Sequence, residues 1–149
     1  MTDPMNLFLI GYRCTGKTSV GQALAKRLGW TFVDTDDRII DTAGSSIARL
    51  VETRGWPHFR RIERQILSAV TAGMKQVVAT GGGVVLDDRN IVAMQRTGTV
   101  VWLTADESTI AKRMLTDGST ESGRPSLTGR DRIAEIREVL AERRPRYRK

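Results

Sequence analysis

The chain is poor in the residues that build metal centres and disulfide frameworks. Its 149 residues include one cysteine, Cys14, and one histidine, His58. A single cysteine excludes an intrachain disulfide, and a single histidine has no companions for a zinc site. No apolar run approaches the roughly 20 residues that a membrane-spanning helix needs. The start carries Asp3 and no Lys or Arg before the short apolar run Leu7–Ile10, which is not a signal-peptide pattern. No internal repeat and no low-complexity segment is present. The expectation is one domain over 1–149, cytoplasmic, with no membrane partner.

What is there is ordinary for a globular chain: 40% hydrophobic and 28% charged residues. The net charge of +7 suits anionic ligands such as nucleotides and acidic metabolites, and would also suit nucleic acid. The most informative stretch is Gly11-Tyr12-Arg13-Cys14-Thr15-Gly16-Lys17-Thr18. It follows the apolar run Asn6–Ile10 and opens an amphipathic run to Leu28, so it reads as strand, glycine-bounded loop and helix. That is the phosphate-binding P-loop pattern. Gly11 and Gly16 permit a tight turn whose N–H groups face phosphate oxygens, and the helix start adds its positive dipole end. Lys17 supplies a mobile charge for β- and γ-phosphates, and Thr18 a hydroxyl ligand for Mg²⁺. Gly11, Tyr12, Arg13, Cys14, Thr15, Gly16, Lys17, Thr18 and Ser19 are therefore the candidates for holding ATP.

Further strands are expected at Thr31–Val33, Gln76–Ala79 and Thr99–Leu103, alternating with helices, which indicates βαβ units and a parallel sheet. Pro57 suits the first turn of a helix carrying Phe59, Ile62, Ile66 and Val70. A last helix is expected over Asp131–Arg144, with Pro145 beyond it. Between the last two helices lies Thr116–Thr128, rich in Gly, Ser and Thr and containing Arg124-Pro125, which reads as a lid.

Several groups carry chemistry, each with a bland alternative. Asp34 and Asp36 end a strand, where i and i+2 share a face. One can hold Mg²⁺ through water and the other accept a hydroxyl proton, or both can simply cap the next helix. Gly81-Gly82-Gly83 allows close backbone approach to a ligand, or is a flexible turn. Arg60 can pair with an anionic substrate, oriented by Glu63. On spacing alone, a solvated i,i+3 ion pair is the stronger reading. Arg124 can close over phosphates or be an exposed loop residue. The basic end, from Arg143 to Lys149, can be a solvated terminus or a weak nucleic-acid signal with one aromatic, Tyr147.

Taken together these motifs resemble shikimate kinase, over essentially the whole chain. The resemblance rests on the P-loop, Phe32-Val33-Asp34-Thr35-Asp36, Ser46-Ile47, Phe59-Arg60-Arg61-Ile62-Glu63, Gly81-Gly82-Gly83, Arg124-Pro125, and Arg143 before Pro145 and Tyr147. It implies a three-layer α/β/α P-loop fold with strand order 2-3-1-4-5. The fifth strand and a following helix are expected to be absent from this chain. It implies transfer of the ATP γ-phosphoryl to the 3-hydroxyl of shikimate by a monomer that binds no nucleic acid. By the same resemblance Asp36 is the base, and Asp34 acts on Mg²⁺ through water. Arg60, Arg143 and Gly81–Gly83 hold shikimate, Phe59 lines its pocket, Arg113 lies near adenine, and Arg124 covers the phosphates. Three positions depart from the family: Cys14 replaces a glycine, Trp56 a glutamate, and Val51 an aromatic. A kinase for another small acceptor, or a nucleotide-binding module without turnover, are the alternatives.

Overall fold

Five residues of almost unbroken apolar character, Asn6–Ile10, form β1 at the centre of a parallel sheet. The structure is a computed structural model and describes residues 6–116 and 132–148, the side chains of 114–116 and 132–135 excepted. The described sheet has four strands in the order β2-β3-β1-β4, with β2 at Thr31–Asp34, β3 at Gln76–Ala79 and β4 at Thr99–Trp102. A parallel strand flanked by helices on both faces calls for a nearly continuous apolar run, and β1 supplies it from Leu7 to Ile10. Phe8 and Ile10 pack on one face with Val33, Val78, Leu67 and Met94. Leu7 and Leu9 pack on the other with Val77, Ala25 and Phe32.

The helices are α1 (Lys17–Leu28), α2 (Thr35–Ala43), α3 (Ile47–Arg54), α4 (Trp56–Thr71), α5 (Asp88–Thr97), α6 (Glu107–Thr116) and α7 (Arg132–Tyr147). Local chemistry sets many of their ends. The Asp34 carboxylate accepts the amide hydrogens of Asp36 and Asp37 and caps α2. Ser46 caps α3 and Asp87 caps α5 in the same way. A 3-10 turn, Val84–Leu86, follows the glycines and has no counterpart in the sequence reading. The expected lid at 116–128 has only Thr116 among the described residues, as the end of α6; Arg124 lies outside them. The helix expected to stop at Arg144 runs through Pro145 to Tyr147. Proline removes one donor, and so late in the helix only one intrahelical bond is lost. The turn is held from outside, because Arg146 Nη1 donates to the Val85 carbonyl (3.3 Å) and to Asp88 Oδ1 (3.1 Å).

The register brings the catalytic motifs to one edge. Leu9 pairs with Ala79 and Ile10 with Trp102, while Asp34 pairs with Ala79. The C-terminal ends of β1, β2 and β3 therefore lie side by side, so the P-loop, the aspartates and the glycines leave the sheet together. Ligands of open α/β sheets bind at this edge.

Behind that edge a polar knot fixes where β3 begins. Buried Asn6 donates to the Gly73 carbonyl (3.0 Å) and accepts from the Gln76 amide (3.2 Å) and Gln76 Nε2 (3.1 Å). Replacing Asn6 by Ala strands these groups. Asn6→Ala is expected to lower unfolding stability by about 1–3 kcal/mol, the penalty for buried polar groups left unmatched. Urea denaturation checks this, and a loss below about 0.5 kcal/mol would show that water replaces the side chain.

Candidate active site

The P-loop adopts its turn through positive φ at Gly11 (143°), Cys14 (61°) and Gly16 (97°). Cys14 thus occupies the left-handed region where its counterparts are expected to be glycine, so the backbone path is kept in spite of the Cβ. Such a residue is strained by roughly 1–2 kcal/mol. Two contacts oppose the strain. The Cys14 carbonyl accepts from Arg113 Nη1 at 2.9 Å, and the side chain packs beside Tyr12, Ile110 and Leu140. Gly11 admits no side chain, because a Cβ would strike the Leu103 carbonyl.

Inside the loop, Lys17 Nζ donates to the Gly11 carbonyl (2.5 Å) and the Tyr12 carbonyl (2.9 Å). Thr15 Oγ1 donates to the Tyr12 carbonyl at 2.7 Å and closes the turn. Thr18 Oγ1 donates to Asp34 Oδ2 at 3.3 Å, across from β2. Asp34 uses its two oxygens differently. Oδ1 caps α2, and Oδ2 faces the P-loop hydroxyl. These two hard oxygen donors suit Mg²⁺, which keeps several waters and takes phosphate oxygens.

The glycine run faces Asp36 and a set of buried charges. At Gly81 a Cβ would sit 2.8 Å from Glu63 Oε2 and 3.1 Å from Asp36 Oδ1. At Gly82 it would lie 3.4 Å from both the Arg13 amide nitrogen and Arg143 Nη1. At Gly83 it would collide with the Arg60 guanidinium. At Gly82 a Cβ would thus meet its neighbours at ordinary contact distance, whereas at Gly81 and Gly83 a charged side chain occupies the space of a Cβ. A flexible turn would not need this.

Arg60 and Glu63 correct the solvated-pair reading. Glu63 is 1% exposed, and its Oε1 accepts from Arg60 Nη1 at 2.9 Å. Phe59, Leu67 and Val70 put this face of α4 into the core, and Glu63 shares it. Its Oε2 is buried and finds no hydrogen-bond partner among the described residues. Burial pushes the Glu63 pKa up, and the nearby Arg60 and Arg143 oppose this. The Arg60 guanidinium lies over two rings, 5.1 Å from the Phe59 centroid and 5.3 Å from that of Trp56. Trp56 and Phe59 meet edge to face at 5.6 Å. The tryptophan that departs from the family thus joins the arginine's platform, in the same cluster as Val51.

Arg143, one of the basic residues near the end of the chain, is 6% exposed. Its guanidinium reaches Gly82 and the hydroxyl of Tyr147. Lys17, Thr18, Asp34, Asp36, Arg60, Gly81–Gly83 and Arg143 therefore lie around one edge of the sheet. Phe59 backs Arg60, and Arg113 buttresses the P-loop backbone. Ser19 is exposed in the first turn of α1. The sequence reading gave no role to Tyr147, Trp56 or Asn6. Tyr147 carries a readable signal, because it lies one helical turn beyond Arg143.

Comparison with known proteins agrees with this layout. The family model "Shikimate kinase" matches residues 13–149. Shikimate kinase 2 of Sodalis glossinidius is 46% identical over 142 residues, covering 95% of this chain and 80% of that protein. Shikimate kinase of Oleidesulfovibrio alaskensis is 46% identical over 142 residues, covering 95% and 82%. Among solved structures, shikimate kinase from Acinetobacter baumannii in complex with shikimate superposes with a TM-score of 0.90 at 32% identity, over 97% of this chain and 78% of that one. With a P-loop, a carboxylate pair and two inward arginines set around a glycine turn, the chain belongs to the shikimate kinase family.

Proposed function

We propose that this chain transfers the γ-phosphoryl group of ATP to the 3-hydroxyl of shikimate, giving shikimate 3-phosphate and ADP, on the route to chorismate and the aromatic amino acids. The carrying observation is the guanidinium pair, half-buried Arg60 and buried Arg143, beside Asp36 and across from a P-loop. An acceptor with both a carboxylate and hydroxyls fits that pairing, because arginine forks match carboxylates better than lysine does.

The P-loop amides and Lys17 hold the β- and γ-phosphates. Thr18 and, through water, Asp34 would hold Mg²⁺, which supplies charge neutralisation between those phosphates when bound. Arg60 and Arg143 fix the acceptor carboxylate, with Gly81, Gly82 and Gly83 offering backbone against the ring and Phe59 at the wall. Asp36 takes the hydroxyl proton as the hydroxyl oxygen bonds to the γ-phosphorus. The bond from that phosphorus to the bridging oxygen breaks, and its electron pair leaves with ADP. Arg113 lies on the adenine side. Arg124, the further candidate for the phosphates, lies outside the described residues. The chain works as a monomer in the cytoplasm, without nucleic-acid or membrane partners. In support, two arginines of the basic C-terminal cluster are already engaged within the fold, Arg143 by Tyr147 and Arg146 by Asp88.

A coupled assay for ADP release is expected to show turnover that depends on shikimate. A folded, ATP-binding preparation without such turnover would sink the reading, and preference for a sugar acid or a nucleotide would move it to another acceptor. Asp36→Asn is expected to lower kcat by about 10²–10⁴-fold, the usual worth of a positioned base. ATP affinity should change less than about threefold, because Asp36 lies on the acceptor side. Survival of turnover would remove Asp36 as the base.

Glu63 has a testable signature in pH. Its pKa is raised in the fold, so the folded state holds the proton more tightly than the unfolded state does. Its contribution to stability therefore falls as pH rises from about 4.5 through the raised folded value. Glu63→Gln lacks this decline. The unfolding free energy of the parent minus that of the variant should fall across this window, as read by urea denaturation at a series of pH values. A difference that instead rises with pH would mean that Arg60 and Arg143 outweigh burial.

A further inference from the structure

Tyr147 stands one helical turn after Arg143 on α7 and is 4% exposed. Its ring stacks on Trp102 of β4, with centroids 5.6 Å apart and planes at 25°. Its hydroxyl donates to the Gly82 carbonyl at 2.5 Å. Nη1 of the Arg143 guanidinium lies beside the same glycine, 3.4 Å from where a Cβ would stand. One phenol thus joins two parts of the acceptor site that come from distant stretches of sequence.

The consequence follows from the planarity of the peptide. In a trans peptide the carbonyl of one residue and the N–H of the next point in opposite directions. Holding the Gly82 carbonyl toward α7 turns the Gly83 N–H away from α7, toward the side where Arg60 lies over Gly83. Glycine is the residue that most needs such a restraint, since without a side chain its backbone has the widest freedom. The stack on Trp102 fixes the ring, and the ring fixes the hydroxyl. Helix α7 itself is tied down by Arg146 on Val85 and Asp88, so the anchor is rigid at both ends.

We propose that Tyr147 is a positioning residue for the acceptor site, its hydroxyl setting the Gly82–Gly83 peptide beside the Arg143 guanidinium. This rests on the acceptor reading above. Among the described residues the hydroxyl donates to Gly82 and to no P-loop atom, so the larger effect is expected on the acceptor.

Tyr147→Phe tests it, since the stack and the burial remain and only the hydroxyl is lost. The expected result is a KM for shikimate raised about fivefold, the usual effect of losing one neutral hydrogen bond. The KM for ATP and kcat should stay within about threefold. The Gly83 amide resonance should also move in an ¹⁵N–¹H spectrum of the variant without ligands. A shikimate KM within twofold of the parent, or a rise shared equally with ATP, would overturn the proposal. The parent chain separates the two claims. If it shows no shikimate-dependent turnover, the acceptor reading fails, and the spectrum then decides the positioning. A displaced Gly83 amide would uphold it, and an unmoved one would overturn it.

Discussion

The acceptor side depends on one desolvated carboxylate. Glu63 is almost wholly buried, and an ionised carboxylate removed from water is costly unless cations are paired with it. Arg60 meets one oxygen, and Arg143 is close enough to stabilise its charge. The two guanidiniums, which would repel each other if left alone, are held near the same turn by this shared negative group. The space it takes explains Gly81, and the space Arg60 takes explains Gly83. The two arginines, Glu63 and Asp36 thus share one turn at the edge of the sheet.

The nucleotide side depends on a different compromise. The P-loop needs a left-handed residue at its third internal position, and this chain supplies Cys14 with a φ of 61°. The strain is small compared with what the loop gains by presenting its amides. It is opposed by the Arg113 bond to the Cys14 carbonyl and by packing against the α6–α7 cluster. Tyr12 lies 1% exposed in that cluster, so the loop that holds phosphate rests on the same helix, α7, that carries Arg143. Nucleotide and acceptor sites therefore share a mechanical support.

Much of the fold was legible in the residues. The apolar runs named all four described strands, because a buried parallel strand leaves a continuous signal. Asp34 was legible as a cap, and the structure uses one oxygen so while the other faces the Thr18 hydroxyl. Glu63 was not legible. Spacing of three on a helix says that two side chains are neighbours, and it says nothing about whether the neighbourhood is wet. Only the packing of α4 against the sheet and α2 makes it dry. The end of α7 was misjudged at Pro145 for a similar reason. Local chemistry argued for a stop, and contacts from Val85 and Asp88, distant in sequence, kept the turn.

The sequence by itself determined the phosphate-binding loop, the parallel sheet and the identity of the charged groups, because these follow from short-range patterns and residue chemistry. The tertiary structure decided which charges are buried and which backbone groups they restrain. The Arg60–Glu63 pair, the inward turn of Arg143 and the bond from Tyr147 to Gly82 all arise where β3, α4 and α7 meet. Desolvation is a property of such a meeting, and no stretch of the chain carries it alone.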